Sequence, residues 1–219
     1  MSADKTDSAD LAVLDAAGGI LQALAGRDKT VLETRTLPAF LPQQRWFGAK
    51  DKTIEGVTLI PLGELEAGVH ALVAADVALD GETQRYLMPL SASYDDKALS
   101  PLTPVLARLE GGEREGVLID SALDRQLDGA LMAAMQQGRT LRSDAGEVVF
   151  EGSEALLAFG DLGEARALGA EQSNISIAFG NKVILKLYRR LRAGDQPDVE
   201  VAQFLSEVGQ FANTPQYLG

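Results

Sequence analysis

The chain has 219 residues, with 20 basic and 32 acidic side chains, so its formal net charge at pH 7 is −12. This acidity argues against a general nucleic-acid binder, which needs a broad cationic surface. The sequence has no cysteine and one histidine, His70, which excludes disulfides, thiolate chemistry and sites that need two imidazoles. No apolar run approaches the about 18 residues of a membrane span, and the acidic N-terminus lacks the apolar core of a secretory signal. We therefore expect a cytoplasmic protein that binds neither nucleic acid nor membrane.

The first two predicted elements are helices. Residues 1–9 are small and polar and are expected to fray. Leucines at helical spacing predict a helix over about residues 10–26, interrupted by Gly18-Gly19. A second short helix is expected over residues 31–42, where Pro38 and Pro42 limit its regularity.

The next stretch has the character of β structure. Apolar and β-branched runs predict strands at residues 54–60, 69–79 and 84–90. Turns are expected at Gly63 to Gly68 and at Asp80-Gly81, and an Asp-Gly pair between two such runs is a strong hairpin signal. The sequence therefore predicts an antiparallel meander behind two helices.

The middle of the chain predicts two short strands and a helix. The strands are expected at residues 105–109 and 116–119. Asp120 or Ser121 is suited to cap the helix, and Gly138 stands where a terminating glycine belongs. The predicted apolar stripe of this helix consists of Leu123, Leu127, Leu131 and Met135.

The last part of the chain predicts strands followed by a helix. Strands are expected at residues 148–150, 164–170, 176–179 and 183–188, with a tight turn at Gly180-Asn181. The final helix begins near Pro197, a natural first-turn proline. Its predicted apolar face consists of Val201, Phe204, Leu205 and Val208. The predicted fold class is α+β, with antiparallel sheets.

Lys186 is the most informative polar residue, because it lies inside the apolar run Val183 to Tyr188. A strand that is apolar on both faces is typical of a covered strand, where a lysine is costly unless it is paired or reaches a cleft. Glu200 borders the predicted packing face of the last helix and is the candidate partner. The simpler alternatives are a lysine at a sheet edge and a solvated glutamate near a helix N-terminus.

The tetrapeptide Glu171-Gln172-Ser173-Asn174 lies between two predicted strands. Its backbone amides and hydroxyl are suited to face a phosphate, although an ordinary hairpin turn is the alternative because no glycine-rich fingerprint is present. The order of hairpin, lysine strand and glutamate helix is the one that kinases use to hold nucleotide phosphates.

Two further stretches have simple interpretations. The basic run Arg189-Arg190-Leu191-Arg192 is expected to be a solvated strand end, with an anion site as the alternative. Trp46, the only tryptophan, stands between Arg45 and Phe47 and is expected to anchor the core; stacking on a sugar or base is the alternative. His70 is expected to be structural.

Two long segments resemble bacterial maltokinases. LPAFLPQQRWFGAK at residues 37–50 is similar to the signature of their N-terminal cap domain, and residues 169–205, GAEQSNISIAFGNKVILKLYRRLRAGDQPDVEVAQFL, resemble the matching N-lobe segment. The resemblance implies an aminoglycoside-phosphotransferase-like kinase fold, transfer of the γ-phosphate of ATP to maltose, and Mg²⁺. It implies that Lys186 binds the nucleotide phosphates, that Glu200 is its helix partner, and that Gln172, Ser173 and Asn174 form the covering turn.

The resemblance also implies a division of the chain. Residues 1–30 would be a helical lead or linker, residues 31–92 the cap, residues 93–160 an intermediate subdomain, and residues 161–219 a partial N-lobe. No counterpart of the family's histidine-containing catalytic loop occurs after Lys186, so we expect the C-lobe to be absent and the chain to be inactive alone. Because these enzymes occur alone or fused to trehalose synthase, that synthase is the expected partner. A non-catalytic interaction module and a sugar-binding domain that uses Trp46 are the alternatives.

Overall fold

The computed structural model describes residues 11–95, 103–111, 115–170 and 174–219. The fold is α+β, as predicted, with mostly antiparallel sheets and few helices. Its strands are β1 (Ala12–Asp15), β2 (Ile54–Glu66), β3 (His70–Leu79), β4 (Glu82–Ser93), β5 (Val105–Glu110), β6 (Gly116–Asp120), β7 (Thr140–Ser143), β8 (Gly146–Val149), β9 (Ala165–Ala170), β10 (Asn174–Phe179), β11 (Val183–Tyr188) and β12 (Arg190–Leu191). Its α-helices are α1 (Ile20–Ala23), α2 (Gly26–Val31), α3 (Leu37–Phe40), α4 (Arg125–Gln136), α5 (Glu154–Ala158) and α6 (Pro197–Gln203). The expected fraying of residues 1–9 lies outside the described residues.

Seven strands form the larger sheet, in the order β1-β5-β6-β4-β3-β2, with β12 paired to β4. All of its pairings are antiparallel except that of β1 with β5. The hairpin between β3 and β4 turns at Asp80 and Gly81, whose φ angles are +47° and +83°. Two successive residues in the left-handed region are the mark of a type I′ turn, the tight turn that fits twisted strands. The predicted meander and its Asp-Gly hairpin are confirmed.

The helical segment covers one face of this sheet. It runs through α2, a π-helical turn Leu32–Thr36, α3 and a 3₁₀ turn Leu41–Gln43, so the helix predicted over residues 31–42 is confirmed. Leu32, Leu37 and Leu41 are fully buried against the sheet. Glu33 accepts a hydrogen bond from the backbone amide of Leu59 at 2.7 Å, which satisfies a donor of β2.

The helix predicted over residues 10–26 is wrong in its first half. Ala12–Asp15 forms β1, which runs parallel to β5, and only Ile20–Ala23 is helical before α2. Gly19, with a φ of +88°, separates the two elements; a Cβ there would lie 2.9 Å from the Cα of Gly68. The leucines are therefore buried from two different elements, Leu14 from β1 and Leu24 from the end of α1. They do not belong to one continuous helix.

A second core lies between α4, α5 and the three-stranded sheet β11-β10-β9. Its strands were predicted at residues 164–170, 176–179 and 183–188, and the three are confirmed within a few residues. The predicted strand at 148–150 is β8, whereas its partner β7 and the helix α5 were not predicted. The predicted turn from Gly63 to Gly68 is too long: β2 continues to Glu66 through an irregular register around Gly63, whose φ is +140°.

The ends of α4 and the face of α6 differ from expectation in part. Asp124, rather than Asp120 or Ser121, caps α4 by accepting a hydrogen bond from the Gln126 amide at 3.0 Å. Gly138 ends that helix at a φ of +59°, as predicted.

The predicted face of α6 and the π-helical turn Phe204–Val208 is not buried: Val201, Phe204 and Val208 are 56%, 56% and 70% exposed. Across the described parts of the chain, no helix is both long and apolar enough to cross a membrane.

Candidate functional site

A groove of about 780 Å³ lies beside the edge strand β11. Its floor is apolar, with Met132 and Met135 of α4 and Leu156 of α5. The opposite wall comes from α6 and from residues 214–219, which are held near α5 because the Ser153 amide donates to the carbonyl of Leu218 at 2.8 Å. Half-open apolar grooves with a few convergent polar groups are the usual form of a small-molecule site.

The groove is cationic although the whole chain is acidic. Among the described residues that line it, three are cations and one is a carboxylate: Arg166, Lys182, Lys186 and Asp198. The Lys182 ammonium donates to the carbonyl of Asp161 at 2.7 Å, which fixes one cation at the hairpin. A local excess of positive charge over an apolar floor favours an anionic ligand.

Lys186 lies on the open face of β11, opposite Ser176 of β10. The expectation of a covered strand is wrong, because Val183 and Leu187 point into the core while Lys186 is exposed and Ile184 is 58% exposed. β11 is an edge strand of its three-stranded sheet, and only one of its faces packs on the second core. Lys186 therefore lines the groove without being buried, as a sheet-edge lysine does.

Glu200 is exposed at the start of α6, and no ion pair joins it to Lys186 in the described structure. The predicted pairing is thus not present. The contact between the strand and α6 is made instead by Tyr188, whose hydroxyl donates to Asp198 Oδ2 at 3.1 Å. Burial, together with this hydrogen bond and the charge of Asp198, raises the pKa of Tyr188 to about 12.

The predicted phosphate-covering turn is described only at its end. Gln172 and Ser173 lie outside the described residues. Asn174, the first residue of β10, pairs with Tyr188 of β11 and is 7% exposed. Its side-chain oxygen has no hydrogen-bond partner in the described part of the chain. Nucleotide binding by Lys186, Glu200, Gln172, Ser173 and Asn174 remains a prediction.

Sequence reasoning missed a buried ion pair at the end of β11. Arg189 was expected to be solvated, but it is 3% exposed, and its Nη2 donates to Asp120 Oδ1 at 2.7 Å and to Oδ2 at 2.8 Å. Its Nη1 also donates to the carbonyl of Leu87 at 3.2 Å. The only signal in the sequence was the position of Asp120 directly after the apolar strand residues of β6.

Trp46 also contacts Arg189. The guanidinium carbon of Arg189 stands 4.5 Å from the centre of the Trp46 ring, close enough for a cation–π contact. Tyr86 packs at a tilt between Trp46 and Phe47, with ring centroids 5.7 and 5.3 Å away. The prediction that Trp46 anchors the core is confirmed.

Two buried titratable groups lie near the start of α4. His70 Nδ1 is 2.6 Å from the hydroxyl of Ser91, and burial lowers the pKa of His70. Asp128 is 1% exposed, and burial, with the nearby charge of Asp124, raises its pKa to about 7. Sequence analysis overlooked Asp128, which directly follows the predicted stripe residue Leu127. Within the ranges that the structure describes, no group of three histidine or acidic side chains is arranged to hold a metal ion.

The fold and the groove define an α+β protein in which a helix-backed antiparallel sheet is joined, through a buried ion pair, to a smaller sheet with a cationic groove. Residues 40–124 match the family model of the maltokinase N-terminal cap domain. The N-terminal part of the chain is therefore maltokinase-related. The match covers less than half of the chain: it includes Trp46 and Asp120, ends at the N-cap of α4, and leaves out Arg189 and Lys186.

Proposed function

We propose that this chain is the cap and part of the N-lobe of a maltokinase-type sugar kinase. The complete enzyme would transfer the γ-phosphate of ATP to maltose and release ADP and maltose 1-phosphate for α-glucan and trehalose metabolism. The observation that carries the proposal is the match of residues 40–124 to the maltokinase cap. Outside the matched segment, the proposal is supported by the three-stranded sheet, whose strand β11 carries Lys186 beside a cationic groove.

The groove suits the phosphates of ATP better than it suits a metal ion. Lys186, Lys182 and Arg166 offer charged donors to phosphate oxygens. Glu200, Gln172, Ser173 and Asn174 are proposed nucleotide-binding residues on the resemblance to the maltokinase N-lobe alone. Magnesium is proposed to enter with the nucleotide, bound to its phosphates. Phosphoryl transfer depends mainly on such positioning and electrostatics.

Binding is tested by titrating the chain with trinitrophenyl-ATP and following the fluorescence of the probe. We expect Lys186→Met to weaken binding about ten-fold, the effect of losing one charge-assisted contact. Lys50→Met, which removes an exposed lysine of the cap, is the matched control and leaves affinity unchanged. Equal affinities for the wild type and Lys186→Met would contradict this assignment.

The chain alone is proposed not to phosphorylate maltose. Its only histidine is buried in the larger sheet beside Ser91 and is not available to a catalytic loop. The catalytic base and the sugar pocket would come from a kinase C-lobe, since half a cleft cannot hold both reactants in line. Incubation with ATP, Mg²⁺ and maltose should yield no maltose 1-phosphate, and steady turnover would overturn this part of the proposal.

A second candidate is a non-catalytic interaction module that docks a trehalose synthase. The observation that favours it is the exposed apolar face of Val201, Phe204 and Val208, since contiguous exposed apolar surface marks interaction sites. Co-elution of the chain with a purified trehalose synthase tests it. Binding that is lost in Phe204→Glu and kept in Lys186→Met supports the module, whereas loss of trinitrophenyl-ATP binding in Lys186→Met supports the kinase.

A further inference from the structure

Arg189 connects the three-stranded sheet to the seven-stranded sheet at a single residue. β11 ends at Tyr188 and β12 begins at Arg190, so Arg189 is the point at which the chain leaves the three-stranded sheet and joins the seven-stranded one. The carbonyl of Arg189 accepts from the Leu87 amide at 2.7 Å, and Arg190 pairs with Tyr86 of β4. The main chain is thus held on the larger sheet directly after β11.

The side chain of Arg189 is held more tightly still. Its contacts with Asp120 and with the Trp46 ring come from the segment that matches the cap, and both members of the ion pair are almost fully buried. A buried guanidinium whose charge is matched at a fixed geometry has few alternative positions. The described chain leaves its Nε without a hydrogen-bond partner, so the acceptors that the structure provides all belong to Asp120 and Leu87.

Lys186 lies three residues upstream, on β11, which ends at Tyr188 directly before Arg189. At about 3.3 Å per residue, its Cα is roughly 10 Å from that of Arg189, with no loop between them. Leu187 is buried and Tyr188 is bonded to Asp198, so neither offers a hinge. The placement of Lys186 over the groove therefore depends on the anchor at Arg189 as well as on the pairing of β11 with β10.

We propose that Arg189 and Asp120 are positioning residues, which hold the strand of Lys186 in the place where its ammonium meets a nucleotide phosphate. The inference rests on the proposed kinase function for its ligand, and on the buried pair for its geometry. Under this proposal the cap segment, residues 40–124, influences nucleotide affinity from a distance. Among the described residues that line the groove, none belongs to that segment.

The test compares a variant that loses the charges of Arg189 and Asp120 with a variant that loses the charge of a nearby exposed arginine. Arg189→Met leaves Asp120 buried and unpaired and is expected to fold poorly, so the informative variant is the double change Asp120→Asn with Arg189→Met, which removes both charges. Arg192→Gln, at an exposed arginine of the same basic run, is the control. Two readouts are made on the full chain: the affinity for trinitrophenyl-ATP, and amide hydrogen exchange.

We expect the double variant to bind trinitrophenyl-ATP about ten-fold more weakly with Lys186 intact, and to exchange faster at residues 183–188 than the wild type. Exchange at residues 70–79 of β3 should be unchanged, which separates positioning from general destabilisation, and Lys186→Met should lose affinity without altering exchange. Unchanged affinity or unchanged exchange at residues 183–188 overturns the inference. If the wild type does not bind the probe, the proposed nucleotide function fails on its own, and the exchange result alone decides whether the pair positions the strand.

Discussion

Asp128 is the residue at which burial and charge conflict most directly. It lies on α4 with 1% exposure, and its Oδ1 has no hydrogen-bond partner among the described residues. Because the buried carboxylate is poorly solvated, its pKa is raised from 3.8 to about 7. The folded protein therefore retains a proton that the unfolded chain has already released, and the free energy of unfolding falls as the pH rises between these two values.

We predict that Asp128→Asn stabilises the protein in alkaline solution. At pH 8.5 the wild type carries a buried charge that asparagine lacks, so the free energy of unfolding should rise by about 1–3 kcal/mol. The gain should shrink as the pH falls from 7 toward 3.8, because the folded protein then holds Asp128 protonated and the cost of taking up that proton decreases with the pH. Urea denaturation at pH 8.5 and 5.5 measures it; Asp144→Asn, at an exposed turn residue, is the control and should have no effect.

Tyr188 and Asp198 are the contact between the lysine strand and α6. We predict that Asp198→Ala lowers the pKa of Tyr188 from about 12, since the variant loses both the hydrogen bond and the neighbouring negative charge. The pKa should stay above 10, because burial, the largest cause of the shift, remains. A spectroscopic titration of the four tyrosines follows it. Glu200→Ala, at an exposed acid of the same helix, should leave the titration curve unchanged.

At the scale of elements, α4 depends on its N-cap. Asp124 accepts the Gln126 amide at 3.0 Å, and replacing such a cap by alanine costs about 1 kcal/mol. We predict that loss for Asp124→Ala in urea denaturation at pH 5.5. Asp124→Asn should retain most of the stability, because asparagine caps as well as aspartate; equal losses in the two variants would show that the charge, and not the cap, stabilises the helix.

Local signals predicted the elements that depend on local chemistry. The Asp80-Gly81 turn and the C-terminal Gly138 both need a left-handed backbone, which glycine adopts without strain, and both were placed correctly. β1 was not, because Leu14 satisfies a helical spacing and a strand equally well, and only its parallel pairing with β5, far along the chain, decides between them. Hydrophobic periodicity in a short segment cannot report such a partner.

The candidate site was predictable only in part for a similar reason. Lys186 was correctly placed on a strand, yet its exposure depends on β11 being an edge strand of the three-stranded sheet. The pairing of Arg189 with Asp120 joins residues 69 positions apart, and a basic run in an acidic chain gives no hint that one member is buried. Sequence identifies the chemical groups; the topology determines which of them meet.

At the scale of the whole molecule, charge and apolar surface oppose each other. The net charge of −12 makes copies of the chain repel one another at low ionic strength. Val201, Phe204 and Val208 follow each other at helical spacing and are all more than half exposed, with Phe211 53% exposed just beyond them. At this spacing Val201, Phe204 and Val208 lie along one side of the helical segment, and we call these three residues the apolar stripe.

We therefore predict that the chain self-associates as salt is raised, because screening removes the repulsion while leaving apolar attraction intact: the Debye length falls from about 10 Å at 0.1 M to about 3 Å at 1 M. Sedimentation velocity at both ionic strengths measures the change in average mass. Phe204→Glu with Val208→Lys leaves the net charge unaltered and should abolish the salt-induced increase, whereas Val149→Thr, at an equally exposed valine of the β8 strand, should not. Association that persists in the double variant would place the contact elsewhere on the molecule, and a monomer at both ionic strengths would show that the stripe is too small to hold two copies together.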